Sequence, residues 1–217
     1  MRPVRILITG TSTGIGRATA LLFLNRNHTV IGLDKDESTI DHPWYKHYKT
    51  NIDLFLPDID DVDVLINNAG VQNTGHDIQT NLISLIKCTE KYGVQPNIKS
   101  IVNLASVSAH NGAEFPEYCA SKGGVLSYTI NTAKRVAQWG ATCNSLSFGG
   151  VLTDLNKPVI DDTEKWSEIM SMTPLHRWAT PEECAEWIYF FSVVNKSCTG
   201  QDLIIDNGEV INHKFVW

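Results

Sequence analysis

Two residues one helical turn apart could together carry acid–base chemistry. Tyr118 and Lys122 stand at positions i and i+4 of a segment with helical periodicity, so their side chains would share one face of a helix. A phenol in water loses its proton only near pH ~10, which is too high for ready exchange at neutral pH. A lysine cation beside it favours the phenolate and lowers its pKa. Because such pairs occur by chance on many helices, this pair needs support from the rest of the chain.

A glycine-rich turn near the N-terminus is the second chemical feature. The first apolar run, Val4–Ile8, leads into Thr9-Gly10-Thr11-Ser12-Thr13-Gly14-Ile15-Gly16. Gly10 permits a tight turn, Gly14 lets the backbone approach a pyrophosphate, and Gly16 allows close packing of helix on strand. A helix beginning there offers free amides and its positive dipole end to phosphates. The turn predicts a dinucleotide site, with contacts from Gly10, Ser12, Thr13, Gly14, Ile15 and Gly16.

An acid at the end of the second apolar run bears on the choice of dinucleotide. Asp34 follows Thr29–Leu33 and stands close to the ~20-residue distance from the last glycine at which an acid hydrogen-bonds the adenosine ribose. A carboxylate there repels a 2′-phosphate, which favours NAD over NADP. Lys35 is the next residue, and its cation could tolerate that phosphate, so both dinucleotides remain open.

The elements that must hold these residues alternate along the chain. Runs apolar on both faces indicate strands at Val4–Ile8, Thr29–Leu33, Tyr45–Ile52, Val62–Ile66, Ser100–Leu104, Cys143–Ser147 and Asp202–Ile205. Helical periodicity indicates helices at Gly16–Asn25, Leu82–Tyr92, Ala120–Trp139 and Glu182–Val194. Such strands separated by helices are typical of a parallel sheet covered on both sides. We predict an α/β fold, a single-domain doubly wound parallel sheet over residues 1–217, with its ligand crevice at the carboxyl ends of the strands.

Composition excludes several classes of protein. The 217 residues carry a net charge of −6 without a basic run, which argues against a nucleic-acid binder. Five dispersed cysteines without a CxxC pair make a poor disulfide framework and a poor zinc site, so no metal is expected. The most apolar stretch, Ala185–Val194, is far shorter than the ~20 residues of a membrane helix, and the N-terminus lacks a signal-peptide pattern. We expect a soluble, cytoplasmic enzyme.

Taken together, these motifs resemble the short-chain dehydrogenase/reductase family, in its single-domain branch, with its Rossmann fold. The resemblance covers about residues 4–208. It is carried by the glycine turn, Asn67-Asn68-Ala69-Gly70, Thr80-Asn81-Leu82, Ser106 after Val102-Asn103-Leu104-Ala105, the Tyr118/Lys122 pair, Thr199-Gly200-Gln201 and Asp206-Asn207-Gly208.

The resemblance implies a catalytic set of Asn81, Ser106, Tyr118 and Lys122. Tyr118 would be the general acid in carbonyl reduction and the base in alcohol oxidation. Ser106 would hydrogen-bond the substrate oxygen. Lys122 would hold the nicotinamide ribose and lower the pKa of Tyr118. Asn81 would hold a water in a proton relay.

The resemblance also implies a nicotinamide dinucleotide, a small-molecule substrate and a homodimer or homotetramer built on helices Leu82–Tyr92 and Ala120–Trp139. The residues expected to contact the dinucleotide beyond the glycine turn are Asp34, Lys35, Asn51, Ile52, Asn68, Ala69, Gly70, Tyr118, Lys122, Val151 and Thr153.

The chain departs from the family pattern in two ways. Phe148 stands where the family usually has a proline, so we expect a looser turn and added bulk near the nicotinamide. Spacing on both sides of Asn67 is short, and the segment 53–61 holds Pro57 and four acids. The helices that flank the adenine should therefore be reduced to single turns or loops.

The substrate side is less specified. Residues 155–173, within a substrate loop at about 152–175, are either a lid over an apolar substrate or a surface helix that packs through Trp166 and Met170. His110 and Glu114 would lie near the cleft, and Trp217 at a subunit contact or a disordered end.

Two functions remain open. The first is an oxidoreductase acting on a ketone or secondary alcohol, such as a 3-oxoacyl thioester or a small sugar or steroid alcohol. The second is a dinucleotide-sensing binding protein with little catalysis.

Overall fold

A seven-stranded parallel sheet forms the centre of the molecule. The computed structural model describes residues 3–113 and 115–211. The strands are β1 (Arg5–Thr9), β2 (Thr29–Asp34), β3 (Tyr45–Lys49), β4 (Val64–Asn67), β5 (Ser100–Ser106), β6 (Thr142–Phe148) and β7 (Asp202–Ile205). Their order is β3-β2-β1-β4-β5-β6-β7, and every pairing is parallel. The direction of winding reverses between β1 and β4, where such sheets open their ligand crevice. The predicted doubly wound α/β class is confirmed.

Helices cover both faces of the sheet. They are α1 (Gly14–Asn25), α2 (residues 79–93), α3 (Ser108–Asn111), α4 (Pro116–Val136), α5 (Lys157–Ile160), α6 (Thr163–Met172) and α7 (Pro181–Tyr189). We use α2 for the helical segment 79–93, which consists of π-helical Gln79–Ser84, α-helical Leu85–Cys88 and π-helical Thr89–Gly93. A π-helical turn, Phe190–Val194, continues α7. Short 3₁₀ turns occupy Ala137–Trp139, Asp154–Asn156 and Glu209–Ile211.

Strand β1 shows why the sequence folds this way. Successive strand residues point to opposite faces, and both faces here are covered, so the central positions of the strand are apolar on both faces. Ile6 and Ile8 pack in the core that includes Phe23 of α1 and Ile188 of α7. Leu7 belongs to the opposite core, formed with residues of α2 and α4. All three β1 side chains are fully buried.

The side of the sheet where the adenine is expected has loops where doubly wound folds usually have helices. Residues 35–44, between β2 and β3, and residues 50–63, between β3 and β4, are fully described and contain no helix. This confirms the prediction from the short spacing and from Pro57. The two connections must therefore be fixed by hydrogen bonds and by packing against neighbouring elements.

Helix α4 begins four residues earlier than the predicted Ala120. Pro116 stands in its first turn, where the fixed φ of proline suits the helix and its missing N–H costs no hydrogen bond. The earlier start places Tyr118 within the first turn, so the Tyr118–Lys122 spacing lies entirely on helix.

Candidate active site

A cleft of about 1150 Å³ opens at the carboxyl ends of the strands. Its walls come from the segments that follow β1, β2, β3, β4, β5 and β6 and from α4. Most of the residues predicted to act on a cofactor or substrate line it: Gly10, Thr13, Gly14, Ile15, Asp34, Lys35, Asn51, Ile52, Asn68, Ala69, Gly70, Ser106, Tyr118, Lys122, Val151 and Thr153. Ser12, Gly16 and Asn81 do not line it and lie behind its wall.

Lys122 is a buried cation beside a phenol. Its ammonium lies 5.6 Å from the centre of the Tyr118 ring and donates a hydrogen bond of 2.9 Å to the carbonyl of Leu104. The residue is only 6% exposed. Burial lowers the pKa of Lys122 to about 8, and the charge of Asp77 acts in the opposite direction. The ammonium therefore remains mostly protonated at neutral pH and can stabilise a phenolate.

Ser106 ends β5 and faces the same part of the cleft. Its hydroxyl lies 3.2 Å from the hydroxyl of Ser108, and its oxygen accepts a hydrogen bond of 3.2 Å from the Ser108 amide. In the sheet register Ser106 lies opposite Phe148. The strand and the amide together hold the hydroxyl in place.

Asn81 holds the cleft wall from behind. It lies in the π-helical turn of α2, is 1% exposed, and bonds Val71 twice: its Oδ1 accepts from the amide and its Nδ2 donates to the carbonyl, both at 2.8 Å. Nδ2 also lies 3.1 Å from the Ser121 hydroxyl. A Cβ at Gly70 would come within 3.2 Å of Asn81 and 3.7 Å of Lys122. Asn81 therefore fixes the segment that packs against Lys122.

The glycine turn forms a cradle that fits a pyrophosphate. Gly10 has φ +76° and Gly14 has φ +52°, a region that side chains other than glycine rarely adopt. A Cβ at Gly10 would come within 2.8 Å of the side-chain nitrogen Nδ2 of Asn68. At the N-terminus of α1, Thr13 makes no side-chain cap and the first turn has no acid. Because these amides carry no side-chain cap, they suit an anion. Gly16 lets α1 pack directly on Gly10.

Asp34 connects the cradle to the loop beyond β2. Its Oδ2 accepts a hydrogen bond of 2.8 Å from the Ser12 amide, and its Oδ1 accepts one of 3.0 Å from the Asp36 amide. The Ser12 hydroxyl donates to the Asp36 carbonyl at 3.2 Å. Ser12 therefore shapes the site through Asp34 and Asp36, and the Asp34 carboxylate is fixed at the cleft.

The end of the cleft where the adenine is expected is held by an acid that sequence reasoning missed. Asn51 accepts a hydrogen bond from the Asp53 amide at 3.0 Å. The Asp53 carboxylate accepts hydrogen bonds from Thr80 at 2.7 Å and from Ser84 at 2.6 Å. These contacts tie the turn that carries Asn51 and Ile52 to helix α2, so Asp53 substitutes for part of the missing helix packing.

The turn expected at the nicotinamide is firmly held although Phe148 stands where the family usually has a proline. The Phe148 carbonyl accepts from the Val107 amide at 3.1 Å, and the Gly149 amide donates to the Ile205 carbonyl at 3.0 Å. The expected loosening of this turn is therefore not found, because neighbouring strands supply the restraint. Phe148 is 5% exposed and lines the cleft, which agrees with the prediction that its side chain adds bulk there.

Comparison with known proteins decides the family. The model of the enoyl-(acyl carrier protein) reductase family matches residues 45–209, about three-quarters of the chain. The 3-oxoacyl-[acyl-carrier-protein] reductase of Vibrio harveyi is 30% identical, over 93% of this chain and 95% of its own. This protein belongs to the short-chain dehydrogenase/reductase family. The predicted membership and an oxidoreductase function are confirmed.

Two further family members are similar to this chain over nearly its whole length. The L-rhamnose 1-dehydrogenase (NAD(P)(+)) of a Sphingomonas species is 28% identical, over 95% of this chain and 96% of its own. A short-chain dehydrogenase family protein from Francisella tularensis has a structure that superposes with a TM-score of 0.83, at 27% identity, covering 96% of this chain and 99% of that one. The chain thus matches both proteins over nearly their whole length, and the second one in fold.

Residues 155–173 form α5 and α6 on the substrate side of this family member. Leu155 and Met172 line the cleft and are 58% and 49% exposed. Trp166 of α6 packs edge-to-face on Trp178, with ring centres 5.0 Å apart. The packing of Trp166 agrees with the expected surface helix. Apolar residues of the segment also border the cleft, and a lid over the substrate stays a prediction.

The remaining predicted residues have other positions. His110 hydrogen-bonds Asp202 at 2.8 Å and Ser147 at 3.2 Å and does not line the cleft. Glu114 and Trp217 lie outside the described residues. Among described residues no cluster of acids, cysteines or histidines could hold a metal, and none of their helices is both long and apolar enough to cross a membrane.

Sequence reasoning also missed Glu209 on the substrate wall. Its carboxylate oxygens each lie 3.3 Å from the Gly150 amide. The signal was an acid directly after Asp206-Asn207-Gly208, a motif already recognised. Asp53 had a comparable signal, since it directly follows the pair expected at the adenine.

Proposed function

We propose that this protein transfers a hydride between a nicotinamide dinucleotide and a ketone or secondary alcohol. The observation that carries the proposal is the buried Lys122 ammonium 5.6 Å from the Tyr118 ring, in a cleft that Ser106 also lines. A phenol, a cation and a hydroxyl at one end of a cleft suit proton transfer to a carbonyl oxygen.

The residues of the cleft fit the dinucleotide. The amides after Gly10 would hold its pyrophosphate, Asp34 its adenosine ribose, and the segment Asn68–Gly70 would border the same half. Val151 and Thr153 would contact the carboxamide. When bound, the nicotinamide supplies the hydride in reduction and accepts it in oxidation.

The protein's own groups handle the proton. In reduction Tyr118 donates its phenolic proton to the substrate oxygen, and in oxidation the phenolate removes the proton of the alcohol. Lys122 stabilises the phenolate in either direction. Ser106, held by the Ser108 amide, donates a hydrogen bond to the substrate oxygen. Asn81 keeps the Gly70–Val71 wall against Lys122, and a water held there relays protons to solvent.

NAD is the preferred dinucleotide in this proposal. Two backbone amides fix the Asp34 carboxylate at the cleft, where it can accept from ribose hydroxyls and would repel a 2′-phosphate. Lys35 also lines the cleft, so NADP binds more weakly but is not excluded. Suitable substrates are 3-oxoacyl thioesters and small sugars, the two classes for which the relatives named above are called a 3-oxoacyl-[acyl-carrier-protein] reductase and an L-rhamnose 1-dehydrogenase.

We also propose a homodimer or homotetramer. Ile83 of α2 and Ile130 of α4 are 37% and 48% exposed, and these two helices pack on each other. Their outer surface offers apolar side chains to a second copy.

The test is turnover with both dinucleotides against a panel containing acetoacetyl-coenzyme A, simple ketones and, for oxidation, L-rhamnose and D-glucose. We expect NADH oxidation or NAD⁺ reduction with at least one member. Binding of NADH without turnover of any member would favour the dinucleotide-sensing function, for which the helix-free adenine side is the supporting observation. In that case Tyr118→Phe would have no consequence.

A further inference from the structure

The loop between β2 and β3 is anchored by one histidine. Residues 35–44 contain no helix, yet Lys35 and Asp36 line the adenosine half of the cleft. His47, on β3, places its Nε2 2.9 Å from the Asp36 carbonyl oxygen. A carbonyl can only accept, so Nε2 carries the proton and donates.

The tautomer sets the direction of the next hydrogen bonds. With the proton on Nε2, Nδ1 is an acceptor and receives the Tyr45 hydroxyl proton at 3.1 Å. The Tyr45 oxygen, 2.9 Å from Thr11 Oγ1, then accepts from the threonine. The chain of bonds therefore runs from Thr11 in the glycine turn through Tyr45 and His47 to Asp36.

These bonds close into a ring on the cofactor cradle. The Asp36 carbonyl also accepts from the Ser12 hydroxyl at 3.2 Å, and Ser12 directly follows Thr11. Inside the ring, the amides of Ser12 and Asp36 both donate to the Asp34 carboxylate. His47 therefore holds Asp36, which donates to Asp34 directly, and Tyr45 holds Thr11, the residue before Ser12.

Gly32 on β2 makes room for this ring. A Cβ at Gly32 would collide with the Tyr45 hydroxyl and with Thr11 Oγ1. The strand therefore needs glycine there for the Tyr45 hydroxyl to reach Thr11.

We propose that His47 is a positioning residue for the adenosine half of the dinucleotide. It acts through the Asp36 carbonyl, which keeps the Asp36 amide on Asp34 and the carboxylate aimed at the cleft. This inference rests on the proposed function, because it takes the Asp34 side of the cleft as the adenosine site.

The experiment is a fluorescence titration of NADH on wild type and four variants, with thermal unfolding of each. Loss of one or two neutral hydrogen bonds is expected to raise Kd about three- to tenfold in His47→Ala and Tyr45→Phe. His47→Gln retains an amide donor for Asp36 and should restore Kd to within about twofold of wild type. His42→Gln is the matched control, because His42 lies in the same loop and its side chain accepts from the Trp44 amide and packs edge-to-face on the Trp44 ring, outside the ring of hydrogen bonds around Asp34.

The outcomes separate the inference from the proposed function. If wild type binds NADH and His47→Ala binds it equally well, the inference is overturned and the proposed function stands. A lower melting temperature for His47→Ala with unchanged Kd also overturns it, since that result describes a purely structural role. If wild type binds neither NADH nor NADPH, the proposed function fails and the inference falls with it.

Discussion

Lys122→Met should stabilise the folded protein while abolishing its chemistry. Burial shifts the pKa of Lys122 from its ordinary value of 10.5 to about 8, which means that the buried cation destabilises the folded state. Methionine has a similar length and no charge, so it removes that cost. The Leu104 carbonyl, which accepts from the ammonium at 2.9 Å, loses its donor in exchange.

The size of the effect follows from these two contributions. A shift of this size corresponds to about 3 kcal/mol of unfavourable burial at neutral pH. Leaving the Leu104 carbonyl unpaired destabilises the variant by about 1–2 kcal/mol, which offsets part of that gain. The net gain of about 1–2 kcal/mol should raise the melting temperature by about 2–6 °C for a chain of this length.

The pH dependence gives a sharper test than the single value. Below pH 8 the lysine is protonated in both the folded and the unfolded state, and the full cost of burial is present. Between about pH 8 and 10.5 the unfolded chain binds more protons, so wild-type stability rises relative to Lys122→Met. The stability advantage of Lys122→Met should therefore be largest at pH 7 and fall to zero between about pH 9 and 10. Above that pH the variant should be the less stable protein, because its Leu104 carbonyl stays unpaired while neutral lysine still donates to it.

Chemical denaturation of cofactor-free protein from pH 7 to 10 measures this difference. Lys134→Met is the control, because Lys134 is an exposed lysine on the same helix and should change stability by less than about 0.5 kcal/mol at every pH. A Lys122→Met variant that is less stable than wild type at pH 7, or whose difference from wild type is independent of pH, would refute the reasoning.

Three further predictions concern the cofactor site and the assembly. Asp34→Ala should weaken NADH binding about tenfold or more, because the ribose hydroxyls lose their acceptor. It should also reduce the preference for NADH over NADPH, since it removes the carboxylate that repels the 2′-phosphate; an unchanged ratio of the two Kd values in titrations would contradict this. Gly10→Ala should lower stability by about 1–3 kcal/mol in denaturation and weaken NADH binding, because its φ is +76° and its Cβ would crowd Asn68; a variant with wild-type stability would speak against the strained turn. Ile130→Glu should shift gel filtration from an oligomer to the monomer, and an unchanged elution volume would exclude the α2–α4 surface as the interface.

The elements that sequence patterns predict here are those governed by local rules. The central residues of the buried strands β1 (Ile6–Ile8) and β5 (Ile101–Val102) are apolar on both faces, so both strands could be recognised directly. Asp202–Ile205 was predicted with the bounds that β7 has. Pro57 and the neighbouring acids correctly indicated that no helix follows β3. The start of α4 was missed although its signal, Pro116, was visible, because the first helical turn holds few apolar residues.

The parts that could not be predicted depend on contacts between distant segments. The Thr11, Tyr45 and His47 side chains meet only because β1, β2 and β3 are neighbours in the sheet. Asp53 reaches Thr80 and Ser84 across a gap of about 30 residues along the chain. The turn at Phe148 is restrained by the adjacent strands and not by its own residue types. None of these pairings has a periodic or local signature.

The central claim is that Tyr118 donates and accepts the proton that accompanies hydride transfer. The most direct measurement is the single-turnover rate of NADH oxidation, followed at 340 nm, for wild type and Tyr118→Phe with the ketone that wild type reduces fastest. The account predicts a rate at least about a hundredfold lower in Tyr118→Phe, with the Kd for NADH within about twofold of wild type. A Tyr118→Phe variant that keeps more than about a tenth of the wild-type rate would contradict it.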